Sequence, residues 1–135
     1  MLNNLFRPVD TLQKGLTATW ERNAVIRNNI ANVETPGFKA SEVEFESIML
    51  RALDGTGFRG ARTHVGHRHI GAVNFDNVTH RIIQRHNTNM RLDGNNVDIE
   101  AENVALAQNS LQHSALIETV NSELRRLRMA ITETR

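Results

Sequence analysis

Apolar side chains at Leu5, Val9, Leu12, Leu16, Ile26, Ile30 and Val33 follow one series of alternating four- and three-residue steps, and Thr19 and Asn23 fill the two remaining slots. A stripe of that period is the seam a helix buries along a long partner. Pro8 suits a first helical turn, where no amide bond is lost, and Asp10 favours the positive helix end. The pattern predicts a helix from about Pro8 to about Val33. Thr35-Pro36-Gly37 stops it, because the residue before a proline is pushed towards extended backbone and glycine completes a turn.

A shorter helix is expected from Glu42 to Leu53, with Ser41 and Glu44 spaced as a capping box. Phe45, Ile48, Met49, Ala52 and Leu53 line one of its faces, although Val43 and Phe45 alternating with glutamates also fit a strand. From Gly55 to Gly71 the chain turns to glycine, arginine and histidine, the composition of a loop. Val73 to Ile83 supplies one or two short strands, and Asp93-Gly94 marks a turn. The last element is a long helix. Asp98 caps it, Glu100 and Glu102 sit in its first turns, and Arg125, Arg126 and Arg128 lie near its end, in the order the helix dipole favours. Val97, Ala101, Val104 and Leu111 form one apolar stripe; Ile117, Val120, Leu124, Leu127 and Ile131, widened by Leu116, form another. The phase slips between them near His113, as a stutter in a coiled seam does.

The fold class expected is therefore mainly α: long N- and C-terminal helices pair as a coiled-coil-like unit around a small irregular or β-containing insert. Residues 1–54 hold the first helix, the turn and a short second segment, 55–96 the Gly/His-rich insert, and 97–135 the last helix. Composition adds a thin core. Of 135 residues, aromatic bulk comes only from Trp20 and five Phe, with no Tyr, whereas a compact monomer usually buries more large rings. Part of the apolar surface is thus expected to meet other chains. A net charge of +1 gives no reason to expect nucleic acid or an anionic membrane. Cysteine is absent, which excludes disulfides and thiolate chemistry. No apolar run approaches the ~20 residues of a membrane span, and Met1 to Asp10 lacks the layout of a secretory signal peptide.

His64, His67 and His69 form H-x-x-H-x-H, which invites zinc. Zinc takes about four ligands in fixed geometry. Here Asp76 or His80 stands only as a guessed fourth, and the glycine-rich surroundings give no rigid support. Loop histidines facing another subunit are the better reading, and no metal or other cofactor is expected. Arg125, Arg126 and Arg128 have no interleaved aromatic residues, so a solvated helix end or an inter-subunit ion pair fits better than a nucleic-acid patch. There is no phosphate loop, nucleophile elbow or H-E-x-x-H, so neither an enzyme nor a small-molecule substrate is expected.

The run Asn28-Asn29-Ile30-Ala31-Asn32-Val33-Glu34-Thr35-Pro36-Gly37-Phe38-Lys39-Ala40 resembles the N-terminal signature of the flagellar rod and hook family: an Asn-rich helix end, Thr-Pro-Gly, then an aromatic residue. Leu92-Asp93-Gly94-Asn95-Asn96-Val97-Asp98-Ile99-Glu100 is similar to the segment that opens the C-terminal helix in a proximal member, and Arg68-His69-Ile70 to a short element of the same member. The resemblance implies a structural subunit of the basal body rod, exported without a cleaved signal and polymerising through its terminal helices into the periplasm-spanning drive shaft and export channel. It implies as partners other copies of the chain, neighbouring rod proteins, the adaptor protein FliE and the membrane-embedded ring. The alternatives are another rod subunit, or a small His-rich metal-binding regulator. Leu12, Leu16, Ile26, Ile30, Asn32, Leu116, Val120, Leu124 and Leu127 are the residues expected at the assembly interface, with Thr35, Pro36 and Gly37 shaping the turn.

Overall fold

The computed structural model describes residues 2–54, 64, 78–86 and 90–132. In chain order they form α1 (Leu2–Ala31), β1 (Ser41–Glu44), α2 (Glu46–Asp54), β2 (Arg81–Gln84) and α3 (Ile99–Thr132). The architecture is mainly helical, with the two long terminal helices packed together and a small antiparallel sheet, β1-β2, in the middle of the chain. Two compact units result: Met1–Val43 with Ile82–Arg135, and Glu44–Arg81. Arg85 falls in the first unit with Ala40 and Glu42, to which it bonds, and Asn95 with the carbonyls of Asn32, Val33 and Thr35.

The first unit is an antiparallel helix pair. Gly15 lies against Leu116, Thr19 bonds to His113 and Asn109, and Arg22 reaches Gln112. At 1.5 Å per residue the 30 residues of α1 span about 45 Å and the 34 of α3 about 51 Å. α1 begins at Leu2, upstream of the expected start, and Pro8 lies inside it at the cost of one helical hydrogen bond. α3 starts where expected: Asp98 Oδ1 accepts from the amides of Glu100 and Ala101 at 3.0 and 3.2 Å.

On α1 the buried line runs through Gly15, Ala18, Thr19, Val25, Ile26 and Asn29. Leu12, Leu16 and Ile30 sit half-buried at its edge, so the seam is rotated by about one residue from the apolar stripe. On α3 Glu102, Leu106, Asn109, His113, Leu116, Val120, Glu123 and Leu127 are covered in one unbroken series of four- and three-residue steps, with Ala105 covered beside them. The stutter expected near His113 does not occur. Polar Asn109, His113 and Glu123 occupy seam slots that an apolar-only pattern misses, while Val104 and Leu111 point outward.

The helix expected from Glu42 splits into a strand and a shorter helix. Ser41 is held by the side chain of Asn29, Arg85 N donates to Ala40 O at 2.8 Å, and Val43 turns inward while Glu42 faces out to an ion pair with Arg85. Ser41 thus pairs as strand backbone and caps nothing. Val25, Ile26, Val43 and Ala105 share a cleft of about 230 Å³ under the strand. In the second unit, Phe45 O accepts from Met49 N at 2.8 Å to start α2, and Phe45, Met49 and Val78 are buried.

Candidate functional site

Two segments far apart in sequence, 28–40 and 92–98, meet where α1 ends and α3 begins. The first is a tight turn. Phe38 N donates to Thr35 O at 3.2 Å, with Pro36 and Gly37 between them, and Gly37 has φ 73°. This is the type II arrangement, which sets proline second and needs a positive φ third. Thr35 Oγ1 donates to Asn32 Oδ1 at 3.2 Å, and Asn32 Nδ2 donates back to Asn28 O at 2.8 Å. The second segment turns at Gly94, φ 82°, where Asp93 Oδ1 accepts from Asn95 N at 3.1 Å. The turns touch: Gly37 N donates to Asp93 O at 3.0 Å, and a Cβ on Gly94 would lie 3.8 Å from Gly37 Cα.

Three buried asparagines hold this joint. Asn95 Nδ2 donates to the carbonyls of Asn32, Val33 and Thr35 at 3.0, 2.9 and 2.9 Å, while its Oδ1 accepts from Val97 N at 2.7 Å. Asn96 Oδ1 accepts from Ala40 N at 2.6 Å and its Nδ2 donates to Arg85 O at 2.7 Å. Asn29 pairs with both backbone groups of Ser41, at 3.0 and 2.8 Å. A carboxamide carries donor and acceptor side by side, as a peptide group does. It can therefore satisfy buried backbone where neither helix nor sheet continues. Lys39 Nζ on Gly94 O (2.8 Å) and Arg91 Nη1 on Val33 O (3.1 Å) close the joint from outside.

A second polar cluster lies mid-seam. Asn109 is buried, its Nδ2 donating to Thr19 O at 2.9 Å while its Oδ1 has no partner. Thr19 Oγ1 donates to Leu16 O and lies 2.9 Å from His113 Nδ1, so that second contact uses an Nδ1–H.

Of the residues expected at the assembly interface, Ile26 is buried within the helix pair and Leu12, Leu16, Ile30, Asn32, Leu116, Val120 and Leu127 are half-buried; Leu124 is exposed. Sequence reasoning named Asn95 and Asn96 only within a resemblance, passed over Asn109, and named His113 only as the place of a phase slip. Two asparagines after Asp-Gly, and polar residues in step with the α3 seam, were the available signals. His67, His69 and Asp76 lie outside the described residues, while His64 is exposed and His80 half-buried. Among the described residues, no helix is long and apolar enough to cross a membrane.

A pair of long helices closed at one end by interlocked turns, with large apolar side chains exposed along it, is the form of a subunit that packs against other chains. Residues 10–39 match the family described as flagella basal body rod protein. The FlgB basal body rod protein of Bacillus subtilis is 32% identical over 124 residues, covering 92% of each chain. That of Escherichia coli is 31% identical over 129 residues, 93% of each, and that of Borreliella burgdorferi 34% identical over 121 residues, 83% of this chain and 86% of its own. The chain belongs to the FlgB family of flagellar basal body rod proteins, whose role is structural and not enzymatic.

Proposed function

We propose that this rod subunit polymerises through the outer faces of α1 and α3, with the asparagine joint fixing the angle at which each helix pair leaves its turns. The observation that carries the reading is that large apolar side chains stay exposed on two sides of α3, Val104, Leu111 and Met129 on one and Ile117, Leu124 and Ile131 on another. Large apolar residues repeated along an exposed shaft mark surface meant to be covered. A head-to-tail contact of such faces generates a ring or a helical tube, which suits a shaft that transmits torque around a channel. Leu12, Leu16 and Ile30 border the α1 face, Leu116, Val120 and Leu127 lie in the α3 seam, and Asn32 with Thr35, Pro36 and Gly37 shapes the joint. Ile26 acts within the subunit.

The subunit takes the cell-proximal position, spanning the periplasm beside the adaptor protein FliE and the membrane-embedded ring. Support for this is the similarity to FlgB proteins over most of the chain. Leu124→Asp tests the reading. Leu124 is half exposed, so its substitution leaves monomer stability within about 0.5 kcal/mol while cells carrying it lose rods and swimming. Normal swimming by that strain would refute assembly through the α3 face.

A further inference from the structure

We propose that neighbouring copies meet side by side, the outer face of α1 in one copy against the outer face of α3 in the next, with Trp20 seated on Leu111. This rests on the reading of the chain as a polymerising subunit and names the surface. The sequence holds one tryptophan, and it is 68% exposed; Leu111 is 73% and Val104 57% exposed. At about 100° per residue, Trp20 points about 160° away from the buried line of α1, and Leu111 about 165° away from that of α3. The two side chains therefore lie on opposite outer sides of one subunit. They also lie at one level, by the register that sets Gly15 against Leu116. Copies placed side by side without axial shift bring Trp20 of one onto Leu111 of the next.

Charge agrees with that register. Arg27 on the outer side of α1 comes level with Val104, within one turn of Glu100, and Asp10 comes level with Asn121, within one turn of Arg125; all four charged side chains are exposed. Ala24 of α1 and Ala107 of α3, both exposed and both on the contact line, let the helices approach closely. The face from Asp10 to Ala31 is about 32 Å long. With a width of about 10 Å it buries roughly 300 Å² per copy, well below the ~800 Å² per partner of a stable pair. Two such copies do not form a lasting dimer in dilute solution; the contact holds when every copy is gripped on both sides. Because one copy offers α1 and its neighbour α3, the contact repeats without pairing off.

The chain has no cysteine, so engineered thiols report cleanly. Basal bodies are isolated from motile cells carrying A24C with A107C, oxidised, and separated without reductant. The expected result is a ladder of dimers and higher multimers of the 15.2 kDa chain, absent from either single variant. Motile cells whose basal bodies give no ladder, dimers from A24C alone, or a bond only to a chain of another mass each overturn the contact while leaving the rod role intact. If the cysteine pair abolishes swimming, a charge swap reads the same surface. Arg27→Glu reduces swimming, and adding Glu100→Arg restores it; failure to restore overturns the proposal.

Discussion

Replacing Asn95 with alanine removes the side chain on which the joint turns. Its two amide hydrogens are shared among three carbonyls, and each carbonyl keeps a second donor: Thr35 N for Asn32 O, Arg91 Nη1 for Val33 O, and Phe38 N for Thr35 O. The loss on that side is about two net hydrogen bonds, or roughly 2 kcal/mol at about 1 kcal/mol each. Val97 N is different. It is buried and donates to Asn95 Oδ1, so truncation strands it at a further cost of about 1–3 kcal/mol. The sum, about 3–5 kcal/mol, is a large part of the ~5–15 kcal/mol that keeps a domain folded. Asn95→Asp restores the acceptor for Val97 but sets a carboxylate against three carbonyls, and loses at least as much. Asn28→Ala, an exposed asparagine of the same motif, changes stability by about 0.5 kcal/mol or less. Urea unfolding of dilute protein followed by helix circular dichroism measures all three. An Asn95→Ala value within about 1 kcal/mol of the parent would show that the joint is not held as described.

Three other substitutions probe separate parts of the fold by the same unfolding assay. A Cβ on Gly15 meets Leu116 methyls at 3.5 and 3.7 Å, ordinary contact, so Gly15→Ala raises stability by about 0.5–1 kcal/mol through helix propensity, whereas Gly15→Leu lowers it by about 1–3 kcal/mol through overpacking; equal effects would contradict the packing at that crossing. Gly37 at φ 73° has nothing within 4 Å of an added Cβ, so Gly37→Ala costs about 1–2 kcal/mol from backbone strain alone, and Gly37→Asn costs less. Asn109→Leu removes an unpartnered buried oxygen along with one hydrogen bond, leaving stability unchanged or higher by about 1 kcal/mol; a loss above about 1 kcal/mol would mean that Oδ1 is satisfied in solution.

The two long helices were legible because apolar residues recur at seam spacing, and Asp98 and Thr35-Pro36-Gly37 punctuate them with residues of fixed backbone preference. Their pairing face was less so. Gly15, Ala18 and Asn29 at the true centre of the α1 seam carry little hydrophobic signal, so the pattern pointed to the edge formed by Leu12, Leu16 and Ile30. The segment from Ser41 to Leu53 fits both periods, and its first part is a strand where Asn29 and Arg85 bond to Ser41 and Ala40 and β2 pairs beside it. The joint was the hardest to foresee. Asn95 and Asn96 bond to backbone around 60 residues away, and no local rule connects a buried amide to a turn that distant.

Electron microscopy of basal bodies from cells lacking this gene, with a swimming assay beside it, tests the rod role most directly. Non-motile cells that keep the membrane ring but lack rod and hook are the predicted result. Complete rods and hooks in those cells would contradict it.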